Sequence, residues 1–100
     1  MPLLLFYRPS FARSLKLLGP DQKKIVGSIL ETLQVYYSSN CNLEKAKNMT
    51  PGFFYKQLRR PYFETGIEKS LRIVIRREKD KCIAILIGNH DQIRQFLSNV

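Results

Sequence analysis

The most constraining feature of this chain is a pair of strand patterns near its C-terminal end. In residues 70–76 (SLRIVIR), Leu71, Ile73 and Ile75 face one way and Arg72, Val74 and Arg76 face the other. This is the two-residue period of a strand with one buried face. The polar run 78–81 predicts a hairpin turn, and residues 82–87 (CIAILI) are apolar on both faces, as expected of a central strand. Together these segments predict an antiparallel sheet, with Arg72 and Arg76 directed towards solvent.

The N-terminal part of the chain predicts one strand followed by two helices. Residues 3–7 (LLLFY) are a short apolar run, typical of a strand buried on both faces. Ser10 is a candidate N-cap for a first helix, which Gly19 and Pro20 end. Residues 21–37 carry an apolar stripe at helical spacing, which predicts a second, longer helix. We expect the two helices to form an antiparallel hairpin packed on the sheet.

The middle and the end of the chain complete the predicted fold. Residues 38–50 are expected to be a loop with one helical turn at 43–47, and residues 53–58 predict a strand. Residues 59–66 are expected to be an irregular connection, and Asp91 is a candidate cap for a short last helix. The predicted order is β-α-α-β-β-β with a short C-terminal helix, an α+β fold whose sheet is mainly antiparallel.

The size and charge of the chain restrict its organisation and its partners. A length of 100 residues predicts a single domain spanning 1–100. The chain has 17 Lys and Arg against 8 Asp and Glu, a net charge of +9, and ten of the cations fall in residues 51–100. This excess attracts polyanions, nucleic acid before anionic membranes. A basic surface with no nucleic-acid partner is the alternative.

Several classes of protein and site do not fit the sequence. Two cysteines, Cys41 and Cys82, are too few for a disulfide scaffold, and neither they nor the one histidine show metal-site spacing. We therefore expect no cofactor and no metal. The apolar run at 3–7 is too short for a membrane span or a signal peptide, so the protein is expected to be cytoplasmic with no membrane partner.

A sheet face bearing arginines, beside the histidine at a strand end, suits metal-independent RNA cleavage. In that reaction a 2′-hydroxyl attacks the adjacent phosphate, and guanidinium groups stabilise the charge that gathers on its oxygens. Histidine is the side chain suited to proton transfer near neutral pH. The predicted catalytic residues are His90, Arg72 and Arg76; Lys56, Arg59 and Arg60 are predicted to hold the RNA backbone.

Each of these residues also has an ordinary structural interpretation. A histidine at a strand end, arginines on a solvated sheet face and a basic pair in a loop are all common in proteins without nuclease activity. The aromatic residues 53–55 could stack on bases, although aromatic side chains in strands usually pack in a core. The functional interpretation rests on the expectation that the candidate residues converge on one end of one sheet.

The C-terminal segment SLRIVIRREKDKCIAILIGNHDQIRQFL resembles the RelE/ParE superfamily of bacterial and archaeal toxins. The features that match are Arg72 in a strand, the apolar strand at 82–87 and the Gly-Asn-His-Asp turn at 88–91, which precedes a short helix. The resemblance covers nearly the whole chain in element order, but its specific motif is the last thirty or so residues.

This resemblance implies a function and roles for individual residues. RelE-like toxins cut mRNA, commonly on the ribosome, and a co-produced antitoxin that wraps them keeps them inactive. By position, Arg72 resembles the phosphate-stabilising arginine of the family, and His90 resembles its acid or base. Many members have a catalytic or base-stacking tyrosine where this chain has Arg94, which we predict to bind RNA. Glu64 and Glu68 lie in irregular sequence between the two predicted strands, so neither is assigned as a general base.

The leading hypothesis is therefore the toxin of a type II toxin–antitoxin system, an mRNA endoribonuclease with a cognate antitoxin and the ribosome as partners. The first alternative is a ParE-like toxin that inhibits DNA gyrase without cutting nucleic acid. His90 after the final strand favours the nuclease, because a gyrase inhibitor needs no acid or base there, whereas Arg94 in place of tyrosine weakens that preference. A non-toxic RNA-binding module is the second alternative.

Overall fold

A computed structural model describes residues 4–68 and 71–100 of the chain. The strands within these residues are β1 (Leu4–Tyr7), β2 (Phe53–Gln57), β3 (Tyr62–Ile67), β4 (Arg72–Arg77) and β5 (Lys81–Gly88). The helices are α1 (Pro9–Lys16), α2 (Pro20–Ser38), α3 (Leu43–Met49) and α4 (His90–Ser98). Leu3 and Ser70, at which two strands were expected to begin, lie outside the described residues.

The strands form one sheet in the order β1-β5-β4-β3-β2. β1 runs parallel to β5, and the other neighbouring strands are antiparallel, which confirms the predicted α+β fold with a mainly antiparallel sheet. The irregular connection predicted for 59–66 is wrong, because residues 62–67 form β3. The sequence hides this strand because Glu64, Thr65 and Gly66 are all buried, so burial does not alternate along it.

Two of the predicted helix caps are also wrong. The N-cap of α1 is Arg8 rather than Ser10, and the Ser10 hydroxyl instead donates to the carbonyl oxygen of Ile85 at 2.6 Å. This hydrogen bond ties the first turn of α1 to β5. The N-cap of α4 is Asn89, and Asp91 lies in the first turn of the helix.

Helices α1, α2 and α3 contribute to one hydrophobic cluster on one face of the sheet. Ile29 and Leu33 of α2 and Ile73 and Ile75 of β4 are fully buried in it. The loop predicted for 38–50 contains α3, a helix of 7 residues instead of one turn. No helix among the described residues has the length and apolar character needed to cross a bilayer.

The predicted C-terminal helix is present as α4, but it partly covers the opposite face of the sheet, which we had expected to be open to solvent. Val74 of β4, Ile85 of β5 and Ile93 of α4 form a second buried cluster there. The pairing of β4 with β5 shifts between Val74 and Ile75, and such bulges change the direction of side chains along a strand. The face that we expected to be open therefore has a covered centre, with Arg72 and Arg76 on either side of it along β4.

Buried tyrosines lie beside β2 on the face of the sheet that α1, α2 and α3 cover. The hydroxyl groups of Tyr37 and Tyr55 lie 3.0 Å apart, and the rings of Tyr36 and Tyr55 have centroids 4.5 Å apart. Burial raises the pKa of Tyr37 above its ordinary value of 10.0, and the neighbouring Tyr55 raises it further. Burial likewise raises the pKa of Tyr55. These phenols therefore stay neutral in the folded chain at pH values where exposed tyrosines ionise.

We expect the free energy of unfolding to fall as the pH rises above about 10. Unfolded tyrosine loses its proton near that pH, whereas folded Tyr37 keeps it, so the unfolded state binds fewer protons and gains stability. Each such group contributes a slope of about 1.4 kcal/mol per pH unit, and its full stabilisation is present below pH 10. Urea denaturation at pH 9 and pH 11 measures the slope, which Tyr37→Phe should reduce. Exposed Tyr7→Phe is the control, and an unchanged slope in Tyr37→Phe contradicts the prediction.

Candidate active site

Arg72 lies between two glycines on the α4-covered face of the sheet. Its pairing partners are Gly66 on β3 and Gly88 on β5. A Cβ atom at Gly66 would lie 3.1 Å from the Phe54 ring, and one at Gly88 would lie 2.6 Å from Oε1 of Gln92. The two glycines thus leave space beside Arg72 for the Phe54 ring on one side and for the first turn of α4 on the other.

Glu64 forms an ion pair with the Arg72 side chain. Its carboxylate is only 3% exposed, and its Oε1 lies 3.5 Å from Nη1 of Arg72 and 3.5 Å from Nζ of Lys56. Lys56 is the pairing partner of Glu64 on β2, so the sheet register itself brings these two side chains together. A buried carboxylate between two cations fixes the guanidinium in one place, because a buried charge requires a paired partner.

His90 meets the same guanidinium from the other side. It is the first residue of α4, and its Nδ1 lies 3.1 Å from Nη1 of Arg72. A guanidinium only donates, so Nδ1 accepts and the proton of the neutral imidazole resides on Nε2. The position of the ring depends on the helix start, where Asn89 and Gln92 exchange hydrogen bonds of 2.8 and 2.9 Å.

Lys56, Glu64, Arg72 and His90 are named the Arg72 cluster below. The Arg72 guanidinium also lies over the Phe54 ring, 5.5 Å from its centroid, a favourable cation–π geometry. Both polar contacts of Arg72 use Nη1, so Nη2 has no hydrogen-bond partner among the described residues. The cluster therefore presents a fixed guanidinium, an imidazole N–H and the amine of Lys56, whose side chain is 64% exposed.

The other predicted site residues do not all join this cluster. Arg94 follows His90 by four residues on α4 and is exposed, which places both on one flank of the helix. Arg76 lies four residues along β4, about 13 Å from Arg72, and its Nε is 3.8 Å from Oε1 of Glu78. The expectation that all the candidates converge on one end of the sheet is wrong for Arg76.

Arg59 and Arg60 also lie at the far end of the sheet. They belong to the connection between β2 and β3, and the carbonyl oxygen of Pro61 in that connection accepts from N–H of Arg77 at 2.9 Å. Nη1 of Arg59 is 3.5 Å from the carbonyl oxygen of Val100. This basic pair therefore borders Arg76 and the end of α4 instead of His90.

The aromatic residues divide between core and cluster. Phe53 is 1% exposed in the main core, and Tyr55 packs on Tyr36, so only Phe54 of this run touches the Arg72 cluster. Phe96, the nearest aromatic to the position of the family tyrosine, packs edge-on against Tyr62 at 5.2 Å. No exposed aromatic ring in the described part of α4 replaces that tyrosine.

Residues 4–68 and 71–100 contain no group of three or more His, Cys, Asp or Glu side chains that could hold a metal ion. The groups that the Arg72 cluster offers to a ligand are nitrogen donors, which suit an anion such as a phosphate.

Comparison with solved structures identifies the fold. The chain is similar to the RelB–RelE antitoxin–toxin complex from Methanococcus jannaschii, with a TM-score of 0.59, 15% identity, and coverage of 91% of this chain and 96% of that one. A copper-bound mutant toxin from Helicobacter pylori matches with a TM-score of 0.61 and 21% identity over 91% of this chain and 98% of that one. The RelBE2 toxin–antitoxin complex from Mycobacterium tuberculosis matches at 0.54 and 16%, over 90% and 93%. The chain has a RelE-like toxin fold.

The sequence itself has no such match: no protein-family model and no curated protein matches it. The RelE-like fold is therefore carried by element order and packing, since identities of 15–21% preserve few side chains.

Within the RelE-like fold, Glu64 is the member of the Arg72 cluster that sequence reasoning left unassigned. An isolated acid in a stretch predicted as irregular has no predictable neighbours. Once residues 62–67 are recognised as β3, its register places Glu64 opposite Lys56 on one side and Val74 on the other. A signal that could have found it is the aromatic and β-branched content of residues 62–67 (YFETGI), which is typical of a strand.

Proposed function

We propose that this chain is the toxin of a type II toxin–antitoxin system and cleaves mRNA at the Arg72 cluster, without a metal ion and on the ribosome. The observation that carries the proposal is the contact of 3.1 Å between Arg72 and His90 on the sheet face of a RelE-like fold. This contact joins an anion-stabilising group and a hydrogen-bond donor for the leaving oxygen at one point, which suits phosphodiester transfer to a 2′-hydroxyl.

In the proposed reaction the 2′-oxygen bonds to phosphorus while the bond to the 5′-oxygen breaks. Arg72 donates from Nη2 to a phosphate oxygen as negative charge develops there. The Nε2–H of His90 donates a hydrogen bond to the departing 5′-oxygen, and the proton that the 2′-hydroxyl loses reaches this oxygen through water, so the imidazole stays neutral throughout. The products are a 2′,3′-cyclic phosphate and a 5′-hydroxyl. Glu64 acts through Arg72 and is a positioning residue.

The remaining cations bind the RNA backbone in this proposal. Lys56 and Arg94 lie next to the scissile phosphate, one on each side of Arg72. Arg76, Arg59 and Arg60 contact phosphates at the other end of the same face, about two nucleotides away at the spacing of the strand. Arg76 therefore contributes to RNA affinity rather than to the chemical step, in contrast to the role that the sequence predicted for it.

An antitoxin is the second partner of the proposed toxin. Two of the similar structures are complexes of a toxin with its antitoxin. A net charge of +9 on 100 residues favours an acidic, amphipathic segment that neutralises the basic surface and covers apolar grooves. We expect the product of an acidic reading frame next to the gene to bind this chain, and failure of the two purified proteins to associate would remove the antitoxin from the proposal.

Primer-extension mapping of mRNA in induced cells tests the proposed function. We expect new cut sites with the wild-type chain and a loss of about 10²–10³ in cutting with His90→Ala, because removing one donor that stabilises charge developing in the transition state has about this effect. Asn99→Ala, at the far end of α4, is the control and should cut normally. Comparing purified RNA with and without ribosomes measures the ribosome dependence.

Each other outcome has a distinct meaning. Growth arrest without new cuts contradicts the nuclease and favours a target such as DNA gyrase. The absence of both growth arrest and new cuts contradicts the toxin and favours an RNA-binding module. Cutting that His90→Ala does not reduce leaves a nuclease whose site lies elsewhere.

A further inference from the structure

A cavity of about 460 Å³ lies directly beside the Arg72 cluster. Its apolar lining includes Leu18 of the connection between α1 and α2, Leu71 before β4 and Ile87 of β5. Leu71 precedes Arg72 in the chain, and Asn89 at the cavity rim precedes His90. The cavity and the cluster therefore share the same strand end, with consecutive residues turned towards one or the other.

Three carboxamide side chains line the polar side of the cavity: Gln22, Asn89 and Gln92. The amide oxygen of each is already used by a backbone N–H. Oε1 of Gln22 accepts from Gly19 at 3.2 Å, Oε1 of Gln92 accepts from Asn89 at 2.8 Å, and Oδ1 of Asn89 accepts from Gln92 at 2.9 Å. Because backbone N–H groups require oxygen as acceptor, the orientation of each amide is determined.

These orientations leave three NH₂ groups to a ligand. None of them has a hydrogen-bond partner among residues 4–68 and 71–100. The cavity thus combines apolar walls with a rim rich in hydrogen-bond donors, which suits a flat ligand with apolar faces and acceptors on its edge. A nucleobase has this character, and the volume accommodates a purine.

We propose that this cavity binds the base next to the scissile phosphate and selects guanine. The edge of guanine presents two adjacent acceptors, N7 and O6, whereas adenine replaces O6 with a donating amino group. Donors on the rim therefore pair with guanine and oppose adenine. This inference rests on the proposed function for its place beside a cleaved phosphate, but recognition of the base does not require cleavage.

Gln22 allows a nearly isosteric test. Gln22→Glu keeps an oxygen for the N–H of Gly19 and replaces the NH₂ donor with a second oxygen. The helix start is preserved, because an acidic residue in the first turn is favourable, so the variant should fold. Gln34→Glu makes the same change of charge at an exposed position of the same helix, outside this cavity, and is the matched control.

The experiment measures binding of uncleavable 2′-O-methyl oligouridines that carry one guanine, adenine or cytosine. By fluorescence anisotropy, we expect the wild-type chain to bind the guanine oligonucleotide about tenfold more tightly than the adenine one. Gln22→Glu should abolish this preference, whereas Gln34→Glu should keep it while weakening all the oligonucleotides alike. Equal wild-type affinities, a preference for adenine or cytosine, or a guanine preference retained in Gln22→Glu would each overturn the proposal.

The same proteins, assayed on RNA with free 2′-hydroxyl groups, separate this inference from the proposed function. Guanine-selective binding without cleavage keeps the base pocket and removes the nuclease. If the chain cleaves RNA but shows no base preference, or a preference that Gln22→Glu does not change, the nuclease is kept and the pocket is removed.

Discussion

Replacing Arg72 with alanine should lower the rate of RNA cleavage by about 10²–10³, the usual effect of removing one donor that stabilises a developing oxyanion. The guanidinium is held at 3.5 Å by Glu64 and at 3.1 Å by His90, so it costs little to reorganise when charge develops on the phosphate. Single-turnover cleavage of an RNA oligonucleotide by the purified chain, with ribosomes where they are required, measures the rate.

Two further variants separate position from charge. Arg13→Ala removes the same charge from an exposed site on α1 and should leave the rate of the chemical step unchanged. Arg72→Lys retains the charge but loses the planar group that reaches Glu64 and His90 together, so its rate should lie well below that of the wild type. If Arg72→Ala cleaves as fast as Arg13→Ala, the chemistry does not occur at the Arg72 cluster.

Replacing Glu64 with alanine should destabilise the fold by about 3–5 kcal/mol, because breaking a buried ion pair leaves an uncompensated charge. Glu64 is 3% exposed and the Arg72 side chain 16%, so this pair has little access to water. The contribution of Lys56 is smaller, since its side chain is largely exposed. Urea denaturation measures the free energy of unfolding, and cleavage should fall with it because Arg72 loses its support.

A double variant distinguishes positioning from stability in this prediction. Glu64→Leu combined with Arg72→Met replaces the ion pair with apolar side chains, which is commonly neutral or stabilising. We expect stability near that of the wild type, with cleavage as low as in Arg72→Ala. Lys56→Ala is the mild control, and it should change stability by less than about 1 kcal/mol. A Glu64→Ala chain with wild-type stability and cleavage would show that the carboxylate does not hold Arg72.

The extent of sequence-based prediction differs between the two halves of the site. Arg72 and His90 were predicted because each stands in a strong local pattern: an alternating strand and a turn after an apolar strand. The contact between them follows from one pairing, in which Arg72 lies opposite Gly88, two residues before His90. Glu64 had no such pattern, because β3 buries consecutive residues against a sheet neighbour, a helix layer and Arg72 at once.

The convergence of the basic residues was overestimated for a physical reason. The alternation in 70–76 places Arg72 and Arg76 on one face, and strand geometry also separates them by about 13 Å. The intervening Val74 looked like an exposed position of that face. It is 0% exposed, because α4 folds back over the sheet and packs Ile93 against it.

What the sequence alone determined is local: the strand and helix periods, the basic charge, and the pairing of an arginine strand with a histidine turn. Each depends on residues close in the chain, whose spacing decides which side chains share a face. Tertiary structure alone decided three features: β3 as a member of the sheet, Glu64 as the support of Arg72, and the donor-lined cavity between the first helices and α4. These features depend on strand register and helix docking, which join residues far apart in sequence through contacts that no local pattern encodes.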